Sequence, residues 1–144
     1  MRTSHLIIAG FATAAAFLGY TLLRATPQAE EPVTLSSGTE MVQVTLPTEL
    51  SAQAQLGKIA YETKCAACHG LNAAGNVNAA PPLIHKIYEP GHHGDESFQR
   101  AAAMGVQAHH WRFGNMPPIE GITRAEVETI ITYIRKVQRE NGIF

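Results

Sequence analysis

Cysteine is scarce in this chain of 144 residues, which contains only two. Both lie within one short stretch, at Cys65 and Cys68, so no thiol is left for a disulfide elsewhere in the sequence. An excess of charge of one sign is also lacking, because 11 Lys and Arg residues stand against 12 Asp and Glu residues. We therefore expect no nucleic-acid partner. The length excludes a multidomain enzyme and leaves room for one modest core.

An uncharged apolar run lies near the N-terminus, from Leu6 to Leu23. As a helix it would span about 27 Å, close to the roughly 30 Å hydrocarbon layer of a bilayer, whereas the apolar region of a signal peptide has about 7–15 residues. Residues 1–24 are therefore predicted to be an N-terminal hydrophobic helix that anchors the chain in a membrane, with a cleaved signal segment as the alternative. Both interpretations predict that the residues after this segment are exported.

Residues 25–50 are rich in Pro, Thr, Ser and Glu and have no sustained apolar period, which is typical of a flexible linker. Within them, residues 41–46 alternate in polarity like a short strand, so an extended segment lying on the domain is the alternative to free coil. Residues 51–144 carry the helical patterns and are predicted to form the globular domain.

Three main helices are predicted in this domain, and strand-like runs are too few for a sheet. Ser51 suits the N-cap of the first helix, which runs to the cysteines, and Asp95 suits that of the second. The third begins with a capping box at Thr123 and Glu126 and is predicted to end near Gly142. Its apolar residues recur at helical spacing, at Val127, Ile130, Ile131, Ile134 and Val137. The fold class is therefore all-α, with long loops and a core that a large buried cofactor would help to fill.

The two cysteines belong to a Cys-x-x-Cys-His motif that ends at His69, the signature of covalent haem attachment. Residues three apart share a helix face, so both thiols can add to the vinyl groups of one porphyrin while the imidazole of His69 faces the iron. A thioredoxin-like pair would need a βα context, and a zinc site would need a second pair of ligands. The motif therefore predicts one covalently bound haem c.

The second axial ligand of the iron is predicted to be Met116. It lies between Gly114 and two prolines, in a loop where a thioether can be held toward the iron free of helix constraints. The other candidate, Met104, lies within the second predicted helix, where a role in the core is the better interpretation. His/Met ligation fills both axial positions and raises the reduction potential, which suits transfer of single electrons.

With these motifs, residues 51–144 resemble a class I cytochrome c, the monohaem, His/Met-ligated c-type cytochrome, here in a membrane-anchored bacterial form. The resemblance implies a cytochrome c fold in which Cys65 and Cys68 form thioethers and His69 and Met116 are the axial ligands.

The same resemblance extends to residues outside the haem motif. It implies that Pro82, in the dipeptide Pro82-Leu83, accepts the Nδ1 proton of His69 through its carbonyl and so holds the imidazole in orientation. It also implies that the first and last helices cross at Gly57, with Tyr61 and Tyr133 packing beside the crossing.

Five further histidines lie in the domain, two pairs of them adjacent: His85, His92, His93, His109 and His110. In one interpretation they are solvated loop residues, and Trp111 fills the haem pocket and donates its N–H to a propionate. In a second, the pairs converge on a second metal ion such as copper, because imidazole is a good copper ligand. In a third, His109 or His110 replaces Met116 at the iron.

The function predicted from these features is that of a single-electron carrier, not an enzyme, at the periplasmic membrane face. Its expected partners are a redox donor and an acceptor, for example a dehydrogenase and a terminal oxidase, which would dock weakly and transiently on a monomer. The alternative is a haem subunit of a dehydrogenase or oxidase complex, or a haem sensor whose methionine ligand is labile.

Overall fold

The computed structural model describes residues 39–144, so the predicted apolar helix and the first part of the predicted linker lie outside the described residues. Four helices are present in the described part: α1 (Ala52–Lys64), α2 (Ala66–His69), α3 (Asp95–Met104) and α4 (Arg124–Glu140). Two 3₁₀ turns, Leu71–Ala73 and Lys86–Tyr88, lie in the loops. Within residues 39–144 strand pairing is limited to two isolated bridges, Asn76 with Ala80 and Val106 with Met116. The all-α class and the three main helices are thus confirmed. None of the helices between residues 39 and 144 is long and apolar enough to cross a membrane.

Helix α1 begins at the predicted cap. The Ser51 hydroxyl accepts a hydrogen bond from the backbone N–H of Ala54 at 3.2 Å, which satisfies one of the free donors of the first turn. The buried face of α1 carries Ala54, Gly57 and Tyr61. Leu56 and Ile59 are more than half exposed, so they do not contribute to the core although they are apolar.

Helix α4 forms the centre of the core and begins with the predicted capping box. The Thr123 hydroxyl accepts from the backbone N–H of Glu126 at 3.2 Å, and the Glu126 carboxylate accepts from the backbone N–H of Thr123 at 2.8 Å. These bonds to Thr123 lower the pKa of Glu126. The predicted apolar positions are all buried: Val127, Ile130, Ile131, Ile134 and Val137. The helix ends at Glu140, two residues before Gly142, whose φ of +74° suits glycine.

Helices α1 and α4 cross at Gly57, as the resemblance implies. A Cβ atom at this position would lie 1.9 Å from the carbonyl oxygen of Thr129, so only glycine allows the backbones to approach this closely. The rings of Tyr61 and Tyr133 pack beside the crossing with their centroids 5.8 Å apart. The Tyr61 hydroxyl donates to the carbonyl of Gly70 at 2.8 Å, which ties α1 to the loop after His69.

Helix α3 differs from its prediction at both ends. Its N-cap is Gly94, and Asp95 is its first residue, because the Asp95 carboxylate accepts a hydrogen bond from Arg135 of α4 at 2.8 Å instead of capping its own helix. Met104 is the last residue of α3 and is 67% exposed, so the interpretation of Met104 as a core residue is wrong. The helix stops there because Gly105 takes a φ of +75°.

Residues 39–46, here called the N-terminal strap, lie against the domain. The backbone N–H groups of Met41 and Val42 both donate to the carbonyl of Ala74, at 3.0 and 3.2 Å. Farther along, the Asn141 side chain pairs with the backbone of Thr45, accepting at 2.9 Å and donating at 2.8 Å. This part of the predicted linker is therefore an extended segment bound to the surface of the domain, and not a free coil.

Candidate haem site

The Cys-x-x-Cys-His motif lies at the junction of α1 and α2. Cys65 ends α1 and precedes α2, and its carbonyl accepts from the backbone N–H groups of both Cys68 and His69, at 3.1 and 2.9 Å. One helical turn thus carries all three side chains. They line a single cavity, and the two cysteines are not joined to each other. Burial, and secondly the neighbouring Cys68, raise the pKa of the Cys65 thiol to about 11.

The imidazole of His69 is fixed by one hydrogen bond. Its Nδ1 lies 2.8 Å from the carbonyl oxygen of Pro81. A carbonyl can only accept, so Nδ1 carries the proton and Nε2 keeps its lone pair. Burial lowers the pKa of His69, and the bond to Pro81 opposes this shift in part. The side chain is therefore a neutral imidazole with one free nitrogen, which is the form that coordinates a metal.

The carbonyl that orients His69 belongs to Pro81 and not to the predicted Pro82. The two prolines are adjacent, and the next residue, Leu83, donates its backbone N–H to the carbonyl of Ala73 at 2.9 Å, which sets the register of this loop. Pro82 is buried and packs on Gly75, where an added Cβ would lie 2.6 Å from the Pro82 nitrogen. Pro82 thus acts in packing the loop, one residue away from the histidine contact.

The cavity beside the motif has a volume of about 650 Å³, within the range of roughly 300–1,000 Å³ that is typical of cofactor pockets. Its apolar lining comes from α3, α4, the loop between them and the loop that precedes α3, and includes Leu83, Phe98, Ile119, Ile130 and Ile134. The cavity lies where a compact protein of this size would otherwise need core side chains. A large apolar group is therefore the occupant that fits this space.

Met116 lines the same cavity as His69. Its backbone pairs with Val106 through two hydrogen bonds of 2.9 Å, which holds the loop after α3 against the loop that carries the methionine. Gly105 permits this approach, because a Cβ on Gly105 would lie 2.4 Å from the carbonyl oxygen of Met116. The exposed Met104 also borders the cavity, but no comparable bridge fixes it.

Trp111 also lines the cavity, and its indole N–H is buried without a hydrogen-bond partner. The indole packs edge-on against the ring of His85, 5.2 Å between centroids. Burial raises the pKa of the Tyr88 phenol, and the neighbouring indole of Trp111 opposes this shift in part. The indole N–H does not reach hydrogen-bond geometry with the Tyr88 hydroxyl. A buried donor without an acceptor is costly, so the indole N–H indicates an acceptor within the cavity's occupant.

Two polar residues of α4 hold the loop that forms part of the cavity wall. The guanidinium of Arg135, 7% exposed, donates to four acceptors: Asp95 Oδ1 at 2.8 Å, the Tyr88 carbonyl at 2.6 Å, Gln138 Oε1 at 2.7 Å and the His93 carbonyl at 2.5 Å. The amide of the fully buried Gln138 donates to the carbonyls of Leu83 and Tyr88, at 2.9 and 3.0 Å. Residues 83–93 are thus fixed to the last helix.

The sequence predictions missed Pro81, Arg135 and Gln138. A signal for Gln138 does exist, because it lies four residues after Ile134 and so on the apolar face of α4, where a buried amide must find partners. Arg135 and Pro81 offer no such signal, since their partners lie far away in sequence and are set by the folding of the loops.

The remaining histidines of residues 39–144 do not all converge. The ring nitrogen Nδ1 of His85 accepts from the backbone N–H of Ile87 at 3.2 Å, which uses it locally. His92, His93 and His110 converge, with one possible ligand atom from each within 4.8 Å of the others. The pKa of His110 is lowered, first by loss of hydration and then by the charges of the neighbouring histidines. The adjacent His109 lies outside this group, and its Nδ1 contacts the carbonyl of Gln107 at 2.8 Å.

Comparison with known families decides what this architecture is. A family model described as Cytochrome c matches residues 54–138, which is more than half of the chain. The chain belongs to the cytochrome c family. The cytochrome therefore carries covalently attached haem c with its iron, and its class is that of haem-based electron carriers. No curated protein matches the chain.

The residues of this cytochrome fit a haem. The thiol pair and the free nitrogen of His69 lie at one cavity, which is apolar and large enough for a macrocycle. Met116 supplies a thioether at the same cavity, and Trp111 supplies a buried donor without a partner. The donor set of imidazole and thioether suits an iron that shuttles one electron.

Proposed function

We propose that this cytochrome is a monohaem electron carrier in which Cys65 and Cys68 form the thioether bonds and His69 and Met116 are the axial ligands. The observation that carries the proposal is the hydrogen bond from His69 Nδ1 to the carbonyl of Pro81, which leaves Nε2 free at the cavity that Met116 also lines. With both side chains bound to the iron, no coordination position would be left for substrate, oxygen or peroxide.

The haem, when bound, supplies the one-electron chemistry of its iron. The chain's own residues hold the ligands still and exclude water. The bond between His69 and Pro81 keeps the imidazole in one orientation, and the bridge between Met116 and Val106 keeps the thioether loop in place. Because the ligands are held in place, their geometry would change little between the two oxidation states, which keeps the reorganisation energy of electron transfer low. Apolar neighbours such as Phe98 would limit the access of water to the haem.

The indole N–H of Trp111 completes the proposed site. This N–H is buried and has no partner in the protein. It would donate a hydrogen bond to a propionate carboxylate of the haem. Replacement of Trp111 by Phe keeps an aromatic side chain at this position and removes the N–H donor.

The proposed location of the carrier rests on its sequence. The uncharged run from Leu6 to Leu23 supports a membrane anchor with the haem domain at the periplasmic face, where a dehydrogenase-type donor and a terminal oxidase-type acceptor would be reached. The domain would act as a monomer in brief encounters with each partner.

A redox titration of the full-length holoprotein, combined with carbon monoxide binding, tests the proposed carrier. We expect a single one-electron transition and no binding of carbon monoxide to the reduced protein, because both axial positions are filled. Tight binding of carbon monoxide by the wild-type protein would contradict the proposal that Met116 is a stable ligand of the iron, and would favour a haem sensor. Co-purification in a fixed ratio with a dehydrogenase or oxidase would favour a subunit of such a complex.

The intact mass of the protein from the membrane fraction tests the proposed location. The full chain plus one haem supports the anchor. A mass that lacks about the first 24 residues, with the protein recovered in the periplasm, would replace the anchor by a cleaved signal segment.

A further inference from the structure

Two histidine pairs that are separated in the sequence meet on the surface of the haem domain. His92 and His93 lie in the turn before α3, and His110 lies in the loop that leads to Met116. The centroids of their three rings are between 4.7 and 5.3 Å apart. This convergence is independent of the haem ligands proposed above, since it uses none of them.

The spacing of the nitrogen atoms suits a metal ion. A metal with tetrahedral bonds of about 2.0–2.1 Å separates its nitrogen ligands by about 3.3 Å. His92 Nε2 and His110 Nε2 are already 3.4 Å apart, and the three side chains offer ligand atoms within 4.8 Å of one another. To bring the third nitrogen to ligand distance takes a movement of at most about 1.5 Å, which changes in side-chain torsion supply.

The orientation of His93 is that of a metal ligand. Its Nδ1 lies 2.6 Å from the carbonyl of Ile87, so this nitrogen carries a proton and Nε2 is the nitrogen available to a metal. Metal-binding histidines are typically held in this way through their second nitrogen. The backbone of His93 is fixed as well, because its N–H donates to Glu89 and its carbonyl accepts from Arg135.

A hydrogen bond between imidazoles explains the cluster less well. Such a bond accounts for the contact of His92 with His110 at 3.4 Å, but not for the approach of His93 to both. His92 and His110 are exposed and His93 is half-buried, so an ion from solution can reach all three.

We propose that His92, His93 and His110 form a second metal site that binds one divalent late transition-metal ion, Cu²⁺ most tightly, with solvent completing the coordination. Three imidazoles without a carboxylate disfavour Mg²⁺ and Ca²⁺, which prefer oxygen ligands. Among the divalent first-row ions such a nitrogen site binds Cu²⁺ with the highest affinity. His93 and His110 also line the haem cavity, so the ion would lie at its wall.

Titration of the chelator-washed, full-length holocytochrome with Cu²⁺ tests this site. Calorimetry is expected to give one tight equivalent, and electron paramagnetic resonance a signal with splitting from three nitrogens. Single variants H92A and H110A should each weaken binding by about tenfold or more. Zn²⁺ should bind at the same site with lower affinity and compete with Cu²⁺.

The control variant is H109A, which removes an imidazole that packs against His110, 4.3 Å between ring centroids, but offers no ligand atom to the group. It should weaken the binding of Cu²⁺ much less than H92A or H110A does, and the haem absorption spectrum of every variant should match the wild type, which shows that the domain has folded. Retention of the tight equivalent in the double variant H92A/H110A, or an equal loss in H109A, would overturn the assignment. The assignment would also be overturned if the wild-type protein bound Cu²⁺ only weakly, with no tight equivalent.

Discussion

Gly57 of α1 faces the backbone of Thr129 in α4 so closely that a Cβ at position 57 would lie 1.9 Å from the Thr129 carbonyl oxygen. The contact is to backbone, which cannot turn away as a flexible side chain would. The two helices that carry the haem motif and the core are thus held together at a point that admits only glycine.

The variant G57A is expected to destabilise the domain by about 3 kcal/mol or more, because the helices must separate to accept the methyl group. The general preference of a helix for Ala over Gly, about 0.5–1 kcal/mol, acts in the opposite direction and is smaller. Thermal or denaturant unfolding of the holoprotein measures the difference. The control is G91A, where an added Cβ meets nothing within 4 Å. An equal effect of both variants would contradict the crossing.

Gly105 makes a second close contact, and the variant G105A should disturb the methionine loop. An added Cβ would lie 2.4 Å from the carbonyl oxygen of Met116, and φ is +75°. Gly114 has a similar φ of +83° but open space around it. Both variants therefore bear the strain of a left-handed residue, about 1–2 kcal/mol, and only G105A should alter the absorption signature of methionine ligation. If G114A alters it equally, displacement of Met116 is not the cause.

The variant M116A should open the proposed axial position. The reduced protein is then expected to bind carbon monoxide, and the reduction potential should fall because a methionine ligand raises it. M104A is the matched control, since Met104 is 67% exposed and no bridge fixes it at the cavity. Should M116A keep the wild-type spectrum, the axial ligand is another residue, and H109A and H110A identify it.

Arg135 supports the loop that carries His93, so R135M should both destabilise the domain and loosen this loop. The loss leaves the carbonyls of His93 and Tyr88 with fewer donors, at a cost of about 1–3 kcal/mol. The ion pair with Asp95 adds little, because the Asp95 side chain is 66% exposed and regains water. R139M, the same change at an exposed position of α4, should leave the free energy of unfolding nearly unchanged. Denaturant unfolding of the two variants compares them directly.

Local signals predicted local structure well in this chain. Ser51, Thr123 and Glu126 cap their helices as expected, because a cap depends on residues within one turn. The apolar residues of α4 are buried for a similar reason, since their spacing alone puts them on one face.

Long-range choices could not be predicted from the same patterns. Pro81 and Pro82 have the same local character, and the hydrogen bond from Leu83 to Ala73 decides which carbonyl meets His69. Asp95 has the chemistry of a cap, but the distant Arg135 takes its carboxylate. The meeting of His92 and His110 likewise depends on how two loops pack, and adjacency in sequence carries no information on it.

The N-terminal strap determines how a mechanical pull on the chain reaches the domain. Tension applied ahead of residue 39 would be borne by hydrogen bonds of the strap, among them those of Met41 and Val42 to the carbonyl of Ala74 and those between Thr45 and Asn141. Asn141 follows α4 directly, so part of the force would pass to the last helix, whereas Ala74 lies in the loop just after His69. The strap would thus divide such a load between the loop that follows the haem motif and the last helix, before the remaining force reaches α1.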